Sequence, residues 1–168
     1  LEADTIAGLA GIDVEAAGYR QYYWKGSYFS VRPAKSRVVS RLVYPVPGHV
    51  SLGVHAVVGL EGRLRFGPDA EYLADRALDY RVAESKRAAF AAAVRRLVPE
   101  IADDDLEPDM AGIRPKLQGP GQDVRDFVIA EETDRGYRGL VDLVGIDSPG
   151  LTSALSIAEE VARLLGRA

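Results

Sequence analysis

The eight residues 145–152, Gly-Ile-Asp-Ser-Pro-Gly-Leu-Thr, have the composition of a ligand-binding turn. Gly145 and Gly150 let a ligand approach the main chain closely, because glycine has no Cβ and adopts backbone angles closed to other residues. A helix that starts after such a turn presents N–H groups without intrahelical partners, and its dipole favours negative charge. The segment therefore predicts a site for an anionic or electron-rich group. Close packing of a strand against a helix is the alternative interpretation.

A second segment, residues 111–116, could bind a carboxylate. It reads Ala-Gly-Ile-Arg-Pro-Lys, so Arg114 lies where a proline bends the chain. A guanidinium can form two parallel hydrogen bonds with a carboxylate, and an ordinary surface arginine is the alternative. Lys116 and Lys25 are secondary candidates for binding a second carboxylate. For both lysines, an exposed ammonium on a half-buried stem is the alternative.

Tyr44 and His55 are the side chains that could exchange a hydrogen bond or a proton with a bound acid. Tyr44 precedes a proline at the end of an apolar run, but the chain has eight tyrosines, so a packing role is the alternative. His55 could take a hydroxyl proton if it faces a pocket, because imidazole changes charge near neutral pH. A structural histidine is the alternative there, and His49 is expected to be a solvated turn residue.

The elements that must position these residues begin with a short helix and several strands. Residues 4–12 have apolar side chains at helical spacing. Four segments that are rich in β-branched and aromatic residues follow, at Tyr22–Val31, 38–46, 50–58 and 64–66. Short turns separate them, and four such strands in succession predict an antiparallel meander.

The second half of the chain mixes helices and strands. Residues 83–97 carry an apolar stripe that predicts an amphipathic helix, and 106–113 and 127–130 are predicted strands. Residues 140–144 are apolar except for Asp142, which predicts a strand buried on both faces. Residues 150–165 are predicted to form a closing helix. Helices and antiparallel strands in this order indicate an α+β fold.

The composition excludes several classes of protein. The chain has 168 residues, of which 47% are apolar and 27% charged, so it can bury a core. The net charge is −4 and no basic run stands out, which argues against a nucleic-acid partner. The absence of cysteine and the presence of two histidines argue against thiolate chemistry and a metal site. No apolar run is long enough to span a membrane. We expect a cytoplasmic location, with peripheral membrane attachment as the alternative.

Six short segments occur along the chain in a characteristic order. They are Lys-Gly-Ser-Tyr-Phe at 25–29, Arg-Leu-Val-Tyr-Pro-Val-Pro at 41–47, Leu-Gly-Val-His at 52–55, Arg-Phe-Gly-Pro-Asp at 65–69, Ala-Gly-Ile-Arg-Pro-Lys at 111–116 and the turn at 145–152. Together they resemble the C-terminal half of FAD-dependent oxidoreductases of the D-amino-acid oxidase/glycine oxidase superfamily, in particular its L-2-hydroxyglutarate dehydrogenase-like branch. The resemblance covers nearly all of the chain.

The resemblance implies an α+β fold in which two domains are interleaved. A substrate-binding domain, built on a mixed, largely antiparallel sheet, would span residues 22–110. Residues 1–21 and 111–168 would be returns to a Rossmann-like FAD domain, and 111–168 would supply its C-terminal strand–turn–helix. The N-terminal dinucleotide-binding motif of the family, Gly-x-Gly-x-x-Gly, is absent from the sequence. We therefore expect the N-terminal FAD-binding half of the same protein to be the partner of this chain, which would be inactive alone.

The resemblance also implies roles for the residues described above. Binding of FAD would fall to Gly145, Ile146, Ser148, Pro149, Gly150, Leu151 and Thr152. The amides of the last three would approach the pyrimidine edge of the flavin ring and stabilise negative charge there. Arg114 would bind the substrate carboxylate with help from Tyr44, and Lys116 and Lys25 are the secondary substrate-binding candidates. A base must take the hydroxyl proton, and His55 is predicted to be that catalytic base.

The sequence thus predicts part of a flavin-dependent dehydrogenase that oxidises a small, 2-hydroxyglutarate-like 2-hydroxy acid by hydride transfer to FAD. Its electron acceptor is not identified by the sequence, and neither a metal nor a nucleic acid is expected. One alternative is an amine or amino-acid oxidase of the same superfamily, in which His55 has no catalytic role. The other alternative is a non-catalytic α+β binding module, in which the glycine-rich turns only pack.

Overall fold

The computed structural model describes residues 1–46 and 53–166. The chain divides into two compact units, and both boundaries between them fall within strands. The first unit combines Leu1–Tyr23 with Arg114–Ala168, and the second unit is Trp24–Ile113. Helices and antiparallel strand pairs occur in both, so the predicted α+β class is confirmed.

The second unit is built on a five-stranded sheet. Its strands are β1 (Tyr22–Val31), β2 (His55–Val58), β3 (Leu64–Gly67), β4 (Glu71–Leu73) and β5 (Leu106–Lys116). The strand order is β2-β3-β1-β4, and β5 also pairs with β1. The strands β2 and β3 form an antiparallel hairpin, and β3 pairs antiparallel with β1 as well. The sheet is therefore not a simple meander, because β1 lies between β3 and β4 instead of beside β2.

Helix α2 (Arg87–Arg95) closes the core of this unit. Phe90, Ala91 and Val94 are its buried residues, as expected for one face of a helix with 3.6 residues per turn. The ring of Phe90 lies 4.6 Å from the ring of Phe29 on β1. Burying each of these rings stabilises the fold by about 1.5–3 kcal/mol. The predicted helix over 83–97 is confirmed at its centre, although its first turn, Glu84–Lys86, is a 3-10 helix.

The first unit contains two helices and a two-stranded antiparallel sheet. Its elements are α1 (Ala3–Leu9), β6 (Val128–Glu132), β7 (Tyr137–Val144) and α3 (Ala154–Leu164). The buried core consists of Ala7, Ile12, Tyr19, Leu117 and Val144. Because Leu117 follows β5 and Val144 ends β7, this core fixes the end of the segment 111–116 and the start of the segment 145–152.

The predicted strand over 38–46 is wrong. In this stretch only Val43 forms a bridge, to Ala56, and no strand is present there. The valines at 38, 39 and 43 pack against the core of the second unit, which explains why the segment is apolar although it has no continuous hydrogen-bonded neighbour. Of the strand predicted over 50–58, His55–Val58 is confirmed, and residues 50–52 and His49 lie outside the described residues.

Two predictions for the end of the chain also need correction. The segment 140–144 is part of β7, but it is not buried on both faces, since Leu143 is exposed while Asp142 and Val144 are buried. Its only strand partner within the described residues is β6, so its other edge is unpaired, and the face that carries Leu143 is exposed. The closing helix begins at Ala154 rather than at residue 150, because residues 148–153 form turns.

Candidate functional site

The turn after β7 leaves no room for a side chain at either of its glycines. Gly145 has a φ of +73°, and a Cβ there would lie within contact distance of the buried Leu117 side chain. Gly150 is buried, and a Cβ there would overlap Ile146 and lie 2.7 Å from the carbonyl oxygen of Asp147. Between them, the peptide bond joining Ser148 to Pro149 is cis. Both glycines are therefore required by the path of the backbone.

The hydrogen bonds of the turn change which amides are open to a ligand. The N–H of Gly150 donates to the carbonyl oxygen of Asp147 at 2.6 Å, so one of the three amides that were expected to approach the flavin is already used within the turn. The N–H groups of Leu151 and Thr152 donate no hydrogen bond to the part of the chain that the structure describes. Both residues are exposed, and they lie just before helix α3. They are the two open donors of the turn.

Arg114 and Lys116 line the same cavity as this turn. The cavity has a volume of about 400 Å³, and its walls include Gly145, Ser148 and Pro149. Residues two apart on a strand point to the same side, which is why the two cations at the end of β5 face one space. Neither side chain makes a hydrogen bond with residues 1–46 or 53–166, so their N–H donors remain available to a ligand.

Asp147 holds a carboxylate beside both cations. Its Oδ2 lies 4.0 Å from Nη1 of Arg114 and 3.9 Å from Nζ of Lys116. These distances allow electrostatic attraction but exceed those of a hydrogen bond. The sequence analysis included Asp147 in the turn segment without giving it a role. The signal in the sequence was an acidic residue inside a turn that was predicted to lie near two cations.

The wall of the same cavity also contains Arg125, an arginine that the sequence analysis did not identify. Arg125 donates from Nη1 to the carbonyl oxygen of Leu117 at 3.2 Å and from Nη2 to that of Gly18 at 3.0 Å. Its donors are thus directed at backbone carbonyls of the first unit. We assign Arg125 a structural role in shaping the cavity.

A buried cluster of charged residues supports the β6–β7 hairpin that leads into the turn. The Tyr19 hydroxyl donates to Oε1 of Glu132 at 2.5 Å, and Arg135 donates to Oε2 at 2.6 Å. Burial, followed by the hydrogen bond to Glu132, raises the pKa of Tyr19 to about 12. Burial and the neighbouring Glu132 carboxylate raise the pKa of Asp142 as well. Asp142 therefore holds a proton more tightly in the folded hairpin than in the unfolded chain.

In the second unit, Tyr44 and His55 form a stacked pair. Their ring centroids are 4.3 Å apart with an interplanar angle of 23°. The antiparallel bridge between Val43 and Ala56 explains the contact, because in an antiparallel pair the residue after Val43 lies opposite the residue before Ala56. Nδ1 of His55 lies 3.0 Å from the carbonyl oxygen of Gly53. A carbonyl oxygen only accepts, so neutral His55 carries its proton on Nδ1, and Nε2 has the free lone pair.

Lys25 lies in a different cavity of the second unit. That cavity is lined by Lys25, Glu71, Asp79, Arg81, Val82, Ala83 and Lys86, and it includes neither Tyr44 nor His55. The ammonium of Lys25 is buried and donates to the carbonyl oxygen of Arg81 at 2.6 Å. One of its three donors is therefore used within the unit.

Comparison with known families identifies the fold to which this geometry belongs. The family model described as "DAO: FAD dependent oxidoreductase" matches residues 2–164. The chain belongs to this family of FAD dependent oxidoreductases. The predicted resemblance and its cofactor, FAD, are thereby confirmed.

Individual relatives of this FAD dependent oxidoreductase chain act on two kinds of donor. The mitochondrial L-2-hydroxyglutarate dehydrogenase of Arabidopsis thaliana is 44% identical over 84% of the chain and 31% of its own length. The glycerol 3-phosphate dehydrogenase of Caloramator mitchellensis is 28% identical over 84% of the chain and 28% of its own length. The FAD-bound structure of dithionite-reduced L-alpha-glycerophosphate oxidase from Mycoplasma pneumoniae matches 98% of the chain and 40% of its own length, with a TM-score of 0.77 and 26% identity.

The chain spans about a third of the length of these two curated relatives. Among the residues that the structure describes, none of the helices is long and apolar enough to cross a membrane.

The turn is suited to the cofactor of the family. Gly150 is required by the close approach of Ile146 and of the Asp147 carbonyl, so the glycine fixes the course of the backbone that leads to the exposed residues 151 and 152. The free N–H groups of Leu151 and Thr152 are donors of the kind that bind an electron-rich ring edge or an anion. The residues of this turn therefore fit FAD.

Proposed function

We propose that this chain is part of a flavin-dependent dehydrogenase that oxidises a small 2-hydroxy acid, of the size of 2-hydroxyglutarate. Bound FAD would supply the acceptor for the hydride of the CH–OH donor. The relative with the highest identity among those named above is an L-2-hydroxyglutarate dehydrogenase, and this similarity supports an acid as the substrate.

The observation that carries this proposal is the pair of cations beside the turn. Arg114 and Lys116 face one cavity with Gly145 and Pro149, and their donors are not used by the described part of the chain. A guanidinium with free N–H groups binds a carboxylate through two hydrogen bonds, and an adjacent ammonium adds a third. In our proposal Arg114 orients the acid, and Lys116 holds either the same carboxylate or a second one.

The residues of the turn have a separate task in the proposal. The amides of Leu151 and Thr152 hold the electron-rich edge of the cofactor, and Gly145 and Gly150 give the backbone the shape to do so. Ile146, Ser148 and Pro149 complete the turn as cofactor-binding residues. The internal hydrogen bond of Gly150 fixes the turn before the cofactor arrives, and this lowers the entropy that is lost on binding.

His55 is proposed as the base that accepts the hydroxyl proton. The hydrogen bond to Gly53 keeps the proton on Nδ1 and leaves Nε2 as the acceptor, which is the form that a base requires. Tyr44 stacks on the imidazole and restricts its rotation, and its hydroxyl is proposed to assist in binding the acid. Lys25 remains a prediction as a further substrate ligand.

We also propose that the two units correspond to two functional domains of a longer protein. Trp24–Ile113 would be the substrate-binding domain, and Leu1–Tyr23 with Arg114–Ala168 would belong to the FAD domain. Helix α3 supports this assignment, because Leu155 on its apolar side is 83% exposed and Leu151, in the turn just before it, is 92% exposed. An apolar helix face of this kind needs a covering layer, and we propose that the N-terminal FAD-binding half of the protein provides it.

A glycerol phosphate is the second candidate substrate. The similarity to a glycerol 3-phosphate dehydrogenase and to an L-alpha-glycerophosphate oxidase favours it. A phosphate monoester also binds to an Arg–Lys pair, so the cavity alone is compatible with either donor.

The test uses the full-length protein that contains this chain, purified and reconstituted with FAD. Its absorbance spectrum should show the bands of oxidised flavin, and anaerobic addition of L-2-hydroxyglutarate should bleach them. Glycerol 3-phosphate and sarcosine serve as the comparison donors for the glycerophosphate and amine alternatives. Bleaching by one of these two, but not by the hydroxy acid, refutes the proposed substrate class. A colourless protein that takes up no flavin would support the non-catalytic alternative.

A further inference from the structure

Asp147 connects the cofactor-binding turn to the cation pair. Its carboxylate lies 3.9 Å from the Lys116 ammonium and 4.0 Å from the Arg114 guanidinium. Its backbone carbonyl oxygen accepts the 2.6 Å hydrogen bond from Gly150 that fixes the turn. The side chain is largely shielded from solvent, so its charge acts on the cations with limited screening.

The position of the carboxylate leaves the donors of both cations free. At these distances it attracts each cation without forming a hydrogen bond to either. Within the described residues Asp147 is also the sole ion-pair partner of Arg114 and of Lys116. It therefore reduces the net charge of the Arg114–Lys116 pair from two to one, while the hydrogen-bonding sites of both cations stay open.

A fixed negative charge beside an anion site acts unequally on ligands of different charge. Its Coulomb repulsion is proportional to the charge of the ligand, so a dianion experiences twice the repulsion of a monoanion at the same place. Two cations without Asp147 would favour dianions strongly. The same two cations with Asp147 balance a single negative charge.

We infer that Asp147 is a specificity-determining residue that sets the preferred charge of the acid bound by Arg114 and Lys116. The inference rests on the carboxylate-binding role of these two cations in the proposed function. It assigns to Asp147 the repulsion of a second negative charge near the cation pair. Longer diacids are then accepted only if their second carboxylate lies away from Asp147.

The test measures binding rather than turnover. The full-length flavin-loaded protein is titrated by calorimetry with propanoate as the monoanion and malonate as the compact dianion, neither of which has a CH–OH group to be oxidised. In Asp147→Asn, which keeps the shape and the carbonyl acceptor, the ratio of malonate affinity to propanoate affinity should rise by about tenfold. A merely structural defect would weaken both ligands together and leave the ratio unchanged.

Two further variants make the result specific. Asp126→Asn removes a negative charge from the wall of the same cavity, but Asp126 makes no ion pair with either cation among the described residues. The ratio of malonate affinity to propanoate affinity should therefore change by less than about twofold in this variant. Asp147→Glu keeps the charge and should retain the wild-type ratio even if the turn is disturbed. The inference is overturned if Asp147→Asn leaves the ratio unchanged, if Asp126→Asn shifts it equally, or if neither anion binds to the wild type. Failure of hydroxy acids to bleach the flavin, together with the expected ratio change, would reject the proposed function but not the charge selection.

Discussion

Substituting Gly150 by alanine tests whether the turn after β7 is the binding surface for the cofactor. A Cβ at this position would lie 2.7 Å from the carbonyl oxygen of Asp147 and would overlap the Ile146 side chain. Non-bonded carbon contacts are normally about 3.5–4.0 Å, so atoms on one side must move by about 1 Å. Ile146 can rotate, but the Asp147 carbonyl is held by its hydrogen bond to residue 150. The backbone of the turn must therefore shift.

The magnitude follows from the kind of overlap. Forcing additional atoms into a close-packed site typically costs about 1–3 kcal/mol. The turn can relax in the absence of FAD, so this energy is required again when FAD binds and restores the turn. Since about 1.4 kcal/mol corresponds to a tenfold change in affinity, we expect Gly150→Ala to bind FAD roughly 5- to 150-fold more weakly.

The assay is a titration of the full-length apoprotein with FAD, followed by the quenching of flavin fluorescence. Gly112→Ala is the matched control, because a Cβ there has no heavy atom within 4 Å and Gly112 has no positive φ. It should change FAD affinity by less than about twofold. Adding Ile146→Ala to Gly150→Ala should recover only part of the affinity, since the contact with the Asp147 carbonyl remains. Wild-type FAD affinity in Gly150→Ala would refute the assignment of this turn to the cofactor.

Three further substitutions test other parts of the proposal. In His55→Ala, kcat for the hydroxy acid should fall by about 10²–10⁴-fold with a smaller change in KM. The control Tyr44→Phe keeps the stacked ring and should retain most of the turnover. Equal kcat values in the wild type and in His55→Ala would contradict the assignment of His55 as the base. Arg114→Lys keeps the charge but loses the planar fork, so KM should rise roughly tenfold or more while flavin content stays constant. The pKa of Asp142 is raised in the folded state, so the wild-type protein loses stability as the pH rises through that raised pKa. Asp142→Asn removes this loss and should therefore have a higher free energy of unfolding than the wild type at pH 7. Below the ordinary aspartate pKa of 3.8 the two proteins should have the same free energy of unfolding. Urea denaturation at several pH values measures this effect, and a parallel pH profile for the two proteins would contradict it.

Local pattern was sufficient to predict the elements whose side chains face a core on one side. The bounds of β1 agree with the prediction, and the centre of α2 was recognised from its apolar stripe. The turn between β2 and β3 follows from Gly62, which has a φ of +80° and donates to the Gly59 carbonyl. In these cases the physical requirement is local, because it concerns one helix face, one pleated surface or one backbone angle.

Predictions that depended on a distant partner were less successful. Residues 38–46 have the composition of a strand, yet only Val43 pairs with another segment, since composition does not reveal whether a neighbouring strand edge is available. The apolar run at 140–144 suggested burial on both faces, but Leu143 faces outward from a two-stranded sheet. The helix was expected from residue 150, and the hydrogen bond from Gly150 to Asp147 delays it to Ala154.

The roles of the cations in the candidate site were also difficult to predict from the sequence. A sequence does not reveal whether the donors of a cation are already used, and this property separates ligand-binding from structural cations in the present fold. Arg125 directs two N–H groups at backbone carbonyls, so a structural role is favoured for it, and buried Lys25 already uses one donor on the Arg81 carbonyl. Arg114 and Lys116 have no such acceptors in the described chain and face a carboxylate that is too distant to occupy their donors. Because an unpaired donor beside a cavity is stable only when water or a ligand completes it, these two cations, rather than the other basic residues discussed here, are where an anionic substrate is expected to bind.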